Sequence, residues 1–553
     1  MRGRDVFLDS LVAHGVEAIF GNPGTTENPL LDGLHAYPQL PYYVALHEGV
    51  AVCAAAYYAH ASGRTGVANL HVAPGLGNAI GMLYGALKAA APVIVTAGQQ
   101  DTRMRLRDPV LRHDLVAMAA PVTKWAVEVA SADEFALIMR RAFRVAHEPP
   151  AGPVFVALPI NVMEQETTQA ATTSGLLYTA PQPDPAGITR LTELLLASRA
   201  PVIVAGDDIA VQQANALLVR LAEFTGAAVH VEFLRSLSAI ATTHPCFRGR
   251  LAFNAATIRE QLTPYDLVLL IGGSFFEEVW FDAVAAIPEQ TVIAQIETAE
   301  RKLAYNFGVD LGLVGHLPAT LDALLAALER AAPPDYCAAA AARNARLAEQ
   351  RTGELAAFAE QAYKHTARAP MSPQLALYTL AQALPADAIV VDESITASED
   401  LPKAFALPDA RSFHGLRGGG IGQGVAGALG VAVAQTTRPV VALSGDGSAM
   451  YSIQALWTAA HHRLNVLFVI LSNREYRVLK HNLDIYRERF GVRTDRPSPH
   501  MDLQHPTLGF VAMAAGMGVE GVQVTTAGEL HAAVATALAT PGPYLIDVIV
   551  SGK

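Results

Sequence analysis

Short hydrophobic runs alternate with helix-length segments rich in Ala and Leu along almost the whole chain. The runs are three to seven residues long and rich in β-branched side chains, as is usual for buried strands. They lie at 17–20, 42–46, 67–72, 93–97, 154–158, 202–205, 267–271, 292–296, 389–391, 440–443, 466–471 and 544–550. Strands that alternate with helices are typical of parallel sheets covered by helices. We therefore predict an α/β protein with three doubly wound parallel-sheet domains.

Two stretches interrupt this alternation and indicate the domain boundaries. Residues 167–186 are polar, contain three prolines and have no hydrophobic period. Residues 331–368 are charged and Ala-rich, which predicts a joint that is helical in part. A chain of 553 residues is too long for one core. We therefore predict domains at 1–166, 187–330 and 369–553.

Composition and charge narrow the class of protein. Hydrophobic residues make up 51% of the chain and charged residues only 16%, so the protein is globular. The net charge of −11 argues against nucleic-acid binding. Three scattered cysteines fit a reduced, cytoplasmic protein. Acidic residues interrupt the apolar start, which is unlike a signal peptide, and the apolar stretch 418–434 is too rich in Gly and Ala for a membrane span.

The strongest chemical signal lies in the third predicted domain. Asp446, in Gly445-Asp446-Gly447-Ser448, follows the strand at 440–443, and Asn473 follows the strand at 466–471. The carboxyl ends of parallel strands meet at one sheet edge, where ligands of such folds bind. Carboxylate and amide oxygens suit Mg²⁺, and the glycines let backbone N–H groups approach a diphosphate. Each feature alone is an ordinary turn or cap, but the pair predicts a magnesium site.

This segment resembles the thiamine-diphosphate motif of the pyruvate decarboxylase and acetolactate synthase superfamily, a GDG followed by NN. The first Asn of the pair is replaced by Ser472, and the second is kept as Asn473. The resemblance implies thiamine diphosphate and Mg²⁺ as cofactors. It implies Asp446, Asn473 and the backbone carbonyl of Glu475 as metal ligands. It also implies contacts to the cofactor from Gly447, Ser448, Tyr476, Ser394 and Thr396.

The resemblance also implies a carboxylate in the first domain, and Glu48 fits it. A carboxylate bonded to the cofactor's aminopyrimidine favours the tautomer that removes the proton from the thiazolium ring. Ile421 would support the bent shape of the cofactor, and the carbonyl of Gly419 would accept its 4′-amino group. In the family the cofactor lies between two subunits, which implies at least a homodimer and suggests a homotetramer.

Several segments are similar to benzoylformate decarboxylase in particular. His71 matches a histidine that handles protons there, and Thr25 stands where that enzyme has a serine that contacts the substrate carboxylate. Glu27 matches a nearby acid, although a first-turn Glu also favours the start of a helix. The similar segments span all three domains, at residues 20–24, 69–71, 75–79, 95–100, 244–249, 392–394, 445–449, 451–453 and 455–460.

Other positions depart from that enzyme. Val279 occupies the place of its second active-site histidine, and valine cannot transfer a proton. Val478, Leu479 and Asn482 are predicted to line the substrate pocket together with Val279. Nearby cationic residues would suit a polar or acidic substrate, or would form an ordinary solvated helix face. They are Arg477, Lys480, His481 and Arg487.

We therefore predict a non-oxidative lyase that decarboxylates a small 2-oxo acid, with carboligation as a second activity. One alternative is an acetolactate-synthase-type carboligase. A second is a 2-hydroxyacyl-CoA lyase, although the sequence reveals no coenzyme-A site. A nucleotide-linked oxidoreductase is disfavoured, because Gly206-Asp207-Asp208 lacks the glycine fingerprint. The sequence Gly422-x-Gly424-x-x-Gly427 has that fingerprint, but we interpret it as a chance match in a Gly/Ala-rich helix.

Overall fold

The computed structural model describes residues 1–494 and 496–552. Within them, eighteen strands form three six-stranded sheets. The first sheet consists of β1 Ile19–Gly21, β2 Tyr42–Val44, β3 Gly66–Leu70, β4 Val93–Gln99, β5 Trp125–Glu128 and β6 Val154–Pro159. The second consists of β7 Pro201–Ala205, β8 Ala228–Val231, β9 Phe247–Arg250, β10 Leu267–Ile271, β11 Val292–Glu297 and β12 Leu311–Val314. The third consists of β13 Ile389–Glu393, β14 Phe413–Gly415, β15 Val440–Gly445, β16 Val466–Ser472, β17 Glu520–Val524 and β18 Tyr544–Ile549.

Helices connect most of these strands. The first seven are α1 Gly3–Ala13, α2 Asn28–Gly33, α3 Glu48–Ser62, α4 Val72–Lys88, α5 Leu115–Ala119, α6 Phe135–His147 and α7 Ile160–Met163. The next six are α8 Pro185–Ala197, α9 Asp208–Val211, α10 Asn215–Thr225, α11 Ala255–Leu262, α12 Leu317–Ala331 and α13 Pro334–Tyr363. The last eight are α14 Pro373–Ala383, α15 Leu401–Ala404, α16 Gln423–Ala434, α17 Asp446–Ala449, α18 Ala455–His461, α19 Arg477–Arg489, α20 Phe510–Gly516 and α21 Ala527–Ala539. In the part of the chain described, no helix is long and apolar enough to cross a membrane.

The three sheets are parallel, and two of them share one topology. The first has the order β2-β1-β3-β4-β6-β5 and the third the equivalent order β14-β13-β15-β16-β18-β17. The second has the order β12-β11-β10-β7-β8-β9, so β10 pairs with the other side of β7 and the strand order reverses there. Parallel sheets of this kind bind ligands at the carboxyl ends of their strands. The predicted α/β class with three parallel sheets is confirmed.

By compactness the chain divides into two units. The first comprises residues 1–177, 365–399 and 416–553, and the second 178–364 and 400–415. In the first unit α3 packs against α16 almost at backbone contact. A Cβ atom at Gly430 would lie 1.9 Å from the carbonyl oxygen of Ala54, so only glycine fits there.

The core of the second unit is formed by the apolar strands β7, β10 and β11 with α10 and α12. The long helix α13 belongs to the same unit. Arg351 of α13 is buried and donates hydrogen bonds to the carbonyl oxygens of Thr242 and Pro402. These bonds satisfy the guanidinium where water is excluded.

Each predicted hydrophobic run corresponds to a strand, but several boundaries were wrong. The run at 67–72 ends as a strand at Leu70, because Val72 already begins α4. The run at 42–46 ends at Val44, and the run at 17–20 begins only at Ile19. The joint at 331–368 is more regular than predicted, since α13 extends over thirty residues.

Six strands were missed, and most of them share a physical reason. Strands at or near a sheet edge bury only part of their side chains and so lack a continuous apolar run. In β5 and β17, for example, most residues are partly or fully exposed. The missed strands are β5, β8, β9, β12, β14 and β17.

Candidate active site

Glu27 and His71 form a hydrogen-bonded pair at the carboxyl edge of the first sheet. Glu27 ends a short turn after β1, and His71 lies between β3 and α4. Since β1 and β3 are neighbours, with Phe20 opposite Ala68, their ends deliver both side chains to one place. Nδ1 of His71 lies 2.8 Å from Oε2 of Glu27, which is only 2% exposed.

Four donors surround the Glu27 carboxylate. Besides His71 they are the backbone N–H groups of Gly24 and Gly98, each at 2.8 Å, and the hydroxyl of Thr26 at 2.9 Å. A carboxylate can only accept, so Nδ1 of His71 donates and Nε2 is left without a proton in the neutral ring. The pair therefore fixes the tautomer of the imidazole.

Glycine at position 24 is required by this arrangement. A Cβ atom there would lie 2.1 Å from Nδ1 of His71, far inside contact distance. The predicted residue Thr25 lies on the same turn and is exposed, whereas Thr26 is buried and bonded to Glu27. Thr26 was not predicted from the sequence as a site residue. A polar residue beside an acid in a first turn is too common to identify it.

Glu48 is the first residue of α3 and its side chain is buried. Oε2 accepts a hydrogen bond of 3.0 Å from the side-chain amide of Asn78 on α4. Gly75 faces the other oxygen, because a Cβ atom there would lie 2.7 Å from Oε1 of Glu48. Asn78 was not predicted as a site residue. The sequence feature that could have identified it is its position three residues after Gly75.

Asp446 begins α17 directly after β15, and its carboxylate is 4% exposed. Oδ1 accepts from the backbone N–H of Gly447 at 2.8 Å, and Oδ2 from that of Arg474 at 2.6 Å. Burial raises the pKa of the Asp446 carboxyl to about 6, although both hydrogen bonds act to lower it. The bond to Arg474 joins the two predicted halves of the metal site.

The loop after β16 turns sharply beside Asp446. Arg474 has a left-handed backbone with φ of 60°, and the Asn473 side-chain oxygen accepts from the N–H of Glu475 at 3.0 Å. The ring of Tyr476 lies on Gly447, where a Cβ atom would be 2.3 Å from Cε1 of that ring. The structure thus brings Asp446, Gly447, Asn473, Glu475 and Tyr476 onto two adjoining loops.

Ser472 has a definite role in the fold where the family has asparagine. Its hydroxyl donates to Oδ1 of Asp547 at 2.5 Å, and Gln523 donates to the other oxygen of Asp547 at 2.8 Å. All three side chains belong to β16, β17 and β18. The substitution therefore fixes the start of the loop that carries Asn473.

The remaining predicted cofactor contacts differ in their surroundings. Ser448 is buried on α17. Ser394 is also buried, but its hydroxyl donates to Asp392 at 2.6 Å, and Thr396 is exposed. Gly419 is exposed and Ile421 is half-buried. Both belong to residues 418–424, which precede and begin α16 and are called the 418–424 segment below.

The residues around Asp446 fit a divalent cation. A buried carboxylate with a raised pKa is strained as an anion, and a cation beside it would hold it ionised. An amide oxygen and backbone carbonyls lie on the adjoining loop, and such oxygen donors suit Mg²⁺. The described residues contain no group of three or more His, Cys, Asp or Glu side chains that could hold a metal. The predicted ligand set is of another kind, with one carboxylate, one amide and one backbone carbonyl.

The predicted pocket residues belong to different compact units. Val478, Leu479 and Asn482 lie on α19 in the first unit, whereas Val279 lies on an irregular segment of the second unit and is 67% exposed. Much of the cationic cluster on α19 is neutralised. Arg477 and Lys480 bind Glu475, and Arg487 binds Asp484. This pairing favours the solvated-face interpretation for those three residues.

The second sheet has the strand order of a dinucleotide-binding fold, yet its carboxyl edge carries charged side chains. Lys302 bridges Asp208 at 3.1 Å and Glu297 at 3.7 Å, and Glu297 is fully buried. Asp207 accepts from the backbone N–H groups of Ser236 and Leu237. Carboxylates at this edge repel a nucleotide phosphate, which is a further argument against an oxidoreductase.

The chain matches three domains of thiamine pyrophosphate enzymes. They are the N-terminal TPP binding domain over residues 1–118, the central domain over 188–324 and the C-terminal TPP binding domain over 405–548.

Curated relatives and solved structures agree with these matches. Benzoylformate decarboxylase of Pseudomonas aeruginosa is 34% identical, covering 97% of this chain and 96% of the relative. The putative acetolactate synthase large subunit IlvX of Mycobacterium tuberculosis is 31% identical, covering 100% and 99%. The thiamine diphosphate-dependent 4-hydroxybenzoylformate decarboxylase of Rhodococcus jostii superposes with a TM-score of 0.87 at 28% identity, covering 100% and 99%. The chain therefore belongs to the thiamine pyrophosphate enzyme family, whose members here are decarboxylases and acetolactate synthases.

Proposed function

We propose that this enzyme decarboxylates a 2-oxo acid in the manner of benzoylformate decarboxylase and releases an aldehyde. The observation that carries the proposal is the bond between His71 and the buried Glu27, which prepares one imidazole nitrogen for proton transfer. Release of an aldehyde requires a proton at the carbon that has lost carbon dioxide, whereas in a carboligase that carbon bonds to a second carbonyl compound and the proton goes to the oxygen of that compound. The similarity to two aryl-2-oxo acid decarboxylases supports the same substrate class.

The proposed cofactors are thiamine diphosphate and Mg²⁺. Asp446, Asn473 and the backbone carbonyl of Glu475 would hold the metal, with Gly447, Ser448 and Tyr476 at the diphosphate. Glu48 would accept a hydrogen bond from the aminopyrimidine ring, with Ile421 and Gly419 at the same end of the cofactor. When bound, thiamine diphosphate supplies the electron sink that allows the bond to the carboxylate carbon to break.

The protein's own residues would then manage binding and protons. The hydroxyl of Thr25, which is exposed on its turn, would bind the substrate carboxylate. Nε2 of His71 would hold or move a proton at the substrate's carbonyl oxygen, since Nδ1 is occupied by Glu27. General acid–base groups of this kind typically contribute about 10²–10⁴-fold to the rate. Glu48 would hold a proton on the aminopyrimidine nitrogen.

Carboligation is the second candidate, and one residue favours it. Val279 stands where the resemblance predicts a second histidine, and it cannot return a proton to the product. Slower protonation leaves more time for a second carbonyl compound to add, which would give a 2-hydroxy ketone. The acetolactate synthases among the relatives support the same possibility.

We also propose that the protein forms at least a homodimer, with a homotetramer as the complete assembly. Its proposed location is the cytoplasm. The support is the resemblance, which implies that each cofactor binds between two subunits.

The substrate assignment is tested with the holoenzyme and a panel of aliphatic, aryl and acidic 2-oxo acids, each with and without an aldehyde acceptor. Carbon dioxide, free aldehyde and 2-hydroxy ketone are measured separately. Aldehyde as the main product from an aryl 2-oxo acid supports the decarboxylase. If a 2-hydroxy ketone is the main product and no free aldehyde forms, the protein is a carboligase instead.

A further inference from the structure

Glu393, the last residue of β13, holds a buried carboxylate that none of the roles above uses. It is 1% exposed. Oε1 accepts a hydrogen bond of 2.6 Å from the N–H of Gly422, and Oε2 one of 2.7 Å from the N–H of Gly424. Burial raises the pKa of the Glu393 carboxyl to about 7, against the lowering effect of these N–H groups. Burying an ionised carboxylate away from water costs free energy, so we expect Glu393 to have a role that offsets this cost.

The 418–424 segment needs external support. Gly418, Gly419 and Gly422 all have positive φ, at 76°, 73° and 96°, so no regular element holds them. The side chain of Gln423 ties the segment from one side by donating to the carbonyl oxygens of Arg417 and Gly420. Glu393 ties it from the other side.

The points of attachment are specific. Gly422 directly follows Ile421, and Gly424 is two residues further on. A Cβ atom at Gly424 would lie 2.7 Å from Cβ of Glu393, so strand and segment are already in contact. Both backbone donors therefore have their orientation set by one rigid side chain at the end of a central strand.

We propose that Glu393 is a positioning residue for thiamine diphosphate, acting through the 418–424 segment by fixing the orientation of Ile421 and the Gly419 carbonyl. This inference rests on the proposed function. The ionised carboxylate accepts both N–H groups, one at each oxygen. A protonated carboxyl or an amide presents a donor to one of them, which releases that end of the segment.

Other ionisable groups face Glu393 and bear on its charge. Asp392 lies beside it on β13, while Cys53 and Tyr57 face it from α3. Burial, with the Glu393 charge as a lesser cause, raises the pKa of both Cys53 and Tyr57, so both stay neutral near pH 7. Glu393 and Asp392 are therefore the carboxyl groups whose charge matters in this pocket.

The experiment compares Glu393→Gln with a matched control, Glu297→Gln. Glu297 is also fully buried at a strand end, and burial likewise raises the pKa of its carboxyl to about 7, but it belongs to the second unit. Equilibrium dialysis with thiamine diphosphate and Mg²⁺ gives the affinity of each variant. Replacing a residue that orients a ligand-binding group typically costs about 10–100-fold. We expect that loss for Glu393→Gln and wild-type affinity for Glu297→Gln.

Two further readouts separate positioning from a structural role. The ratio of wild-type to Glu393→Gln affinity should rise between pH 6 and pH 8, because only the ionised carboxyl accepts both N–H groups. Hydrogen exchange of the cofactor-free variant should increase in the 418–424 segment and not in β15 or β16. A constant ratio together with unchanged exchange would overturn the proposal.

The outcomes also separate this inference from the proposed function. If wild-type protein fails to bind thiamine diphosphate, the proposed function is wrong. If wild type binds and Glu393→Gln binds equally well, only the role of Glu393 is wrong. Should Glu393→Gln fail to fold, Glu393→Asp takes its place, because the shorter side chain keeps the charge but cannot reach both N–H groups. Wild-type affinity in Glu393→Asp would contradict the proposal.

Discussion

Replacing Asp446 by alanine should abolish Mg²⁺-dependent retention of thiamine diphosphate. The substitution removes the one carboxylate of the proposed metal ligands. It also removes the acceptor for the N–H groups of Gly447 and Arg474. Asp446→Asn is the sharper variant, since its amide oxygen still accepts from one of these groups and the side chain keeps its shape.

The size of the loss follows from the burial of this carboxylate. Breaking a buried charge pair costs about 3–5 kcal/mol. At 1.4 kcal/mol for each factor of ten, this corresponds to about 10²–10⁴-fold weaker binding. The alanine variant also leaves two backbone donors without an acceptor, which destabilises the two loops of the free protein by about 1–3 kcal/mol for each donor. We therefore expect Asp446→Ala to bind more weakly than Asp446→Asn, and both to lose most of their dependence on Mg²⁺.

Equilibrium dialysis with and without Mg²⁺ measures the effect directly. Asp502→Asn is the matched control, because Asp502 binds Lys480 in the same loop region but is not a proposed ligand. It should retain affinity to within about threefold, as an exposed ion pair contributes little. If Asp446→Asn kept wild-type, Mg²⁺-dependent affinity, the metal site would have to be placed elsewhere.

Three other substitutions test the remaining parts of the proposed site. Glu48→Gln can keep the hydrogen bond to Asn78, so cofactor affinity should be retained while exchange of the cofactor's C2 proton slows by about 10²–10⁴-fold. NMR after acid quench measures the exchange rate, and an unchanged rate would show that Glu48 does not activate the cofactor. Gly24→Ala puts a methyl group 2.1 Å from Nδ1 of His71, which must therefore move away. We expect kcat to fall by at least about tenfold, with cofactor affinity unchanged. Full activity would show that the position of His71 is unimportant. Val279→His should raise aldehyde release and lower the ratio of 2-hydroxy ketone to aldehyde, and no change in either would mean that position 279 lacks the missing histidine's role.

The sequence predicted the central strands well because burial on both faces leaves an unmistakable apolar run. β10 and β16 are examples, with every residue buried. Edge strands such as β17 carry exposed polar residues and look like loops. Their place depends on pairing with β18, which is a long-range contact that local sequence does not encode.

The site was predictable where a motif fixes a residue at a strand end, as for Asp446. It was not predictable where a residue acts through contacts made by folding. Asn78 and Glu393 lie in segments similar to benzoylformate decarboxylase, but the role of each, like that of Thr26, is recognised only by its hydrogen-bond partner. Glu393 differs from the other two because its partners are backbone N–H groups, which every residue but proline carries.

The close packing of α3 against α16 restricts how this protein can move. Helices separated by bulky side chains can slide by exchanging rotamers, but Gly430 rests on the backbone of Ala54, where no side chain can yield. The first and third sheets should therefore behave as one rigid body. Access of substrate then depends on peripheral segments, and α19 is a candidate because none of its thirteen residues is buried. Movement of α19 would then limit the rate of turnover, while the first and third sheets stay rigid.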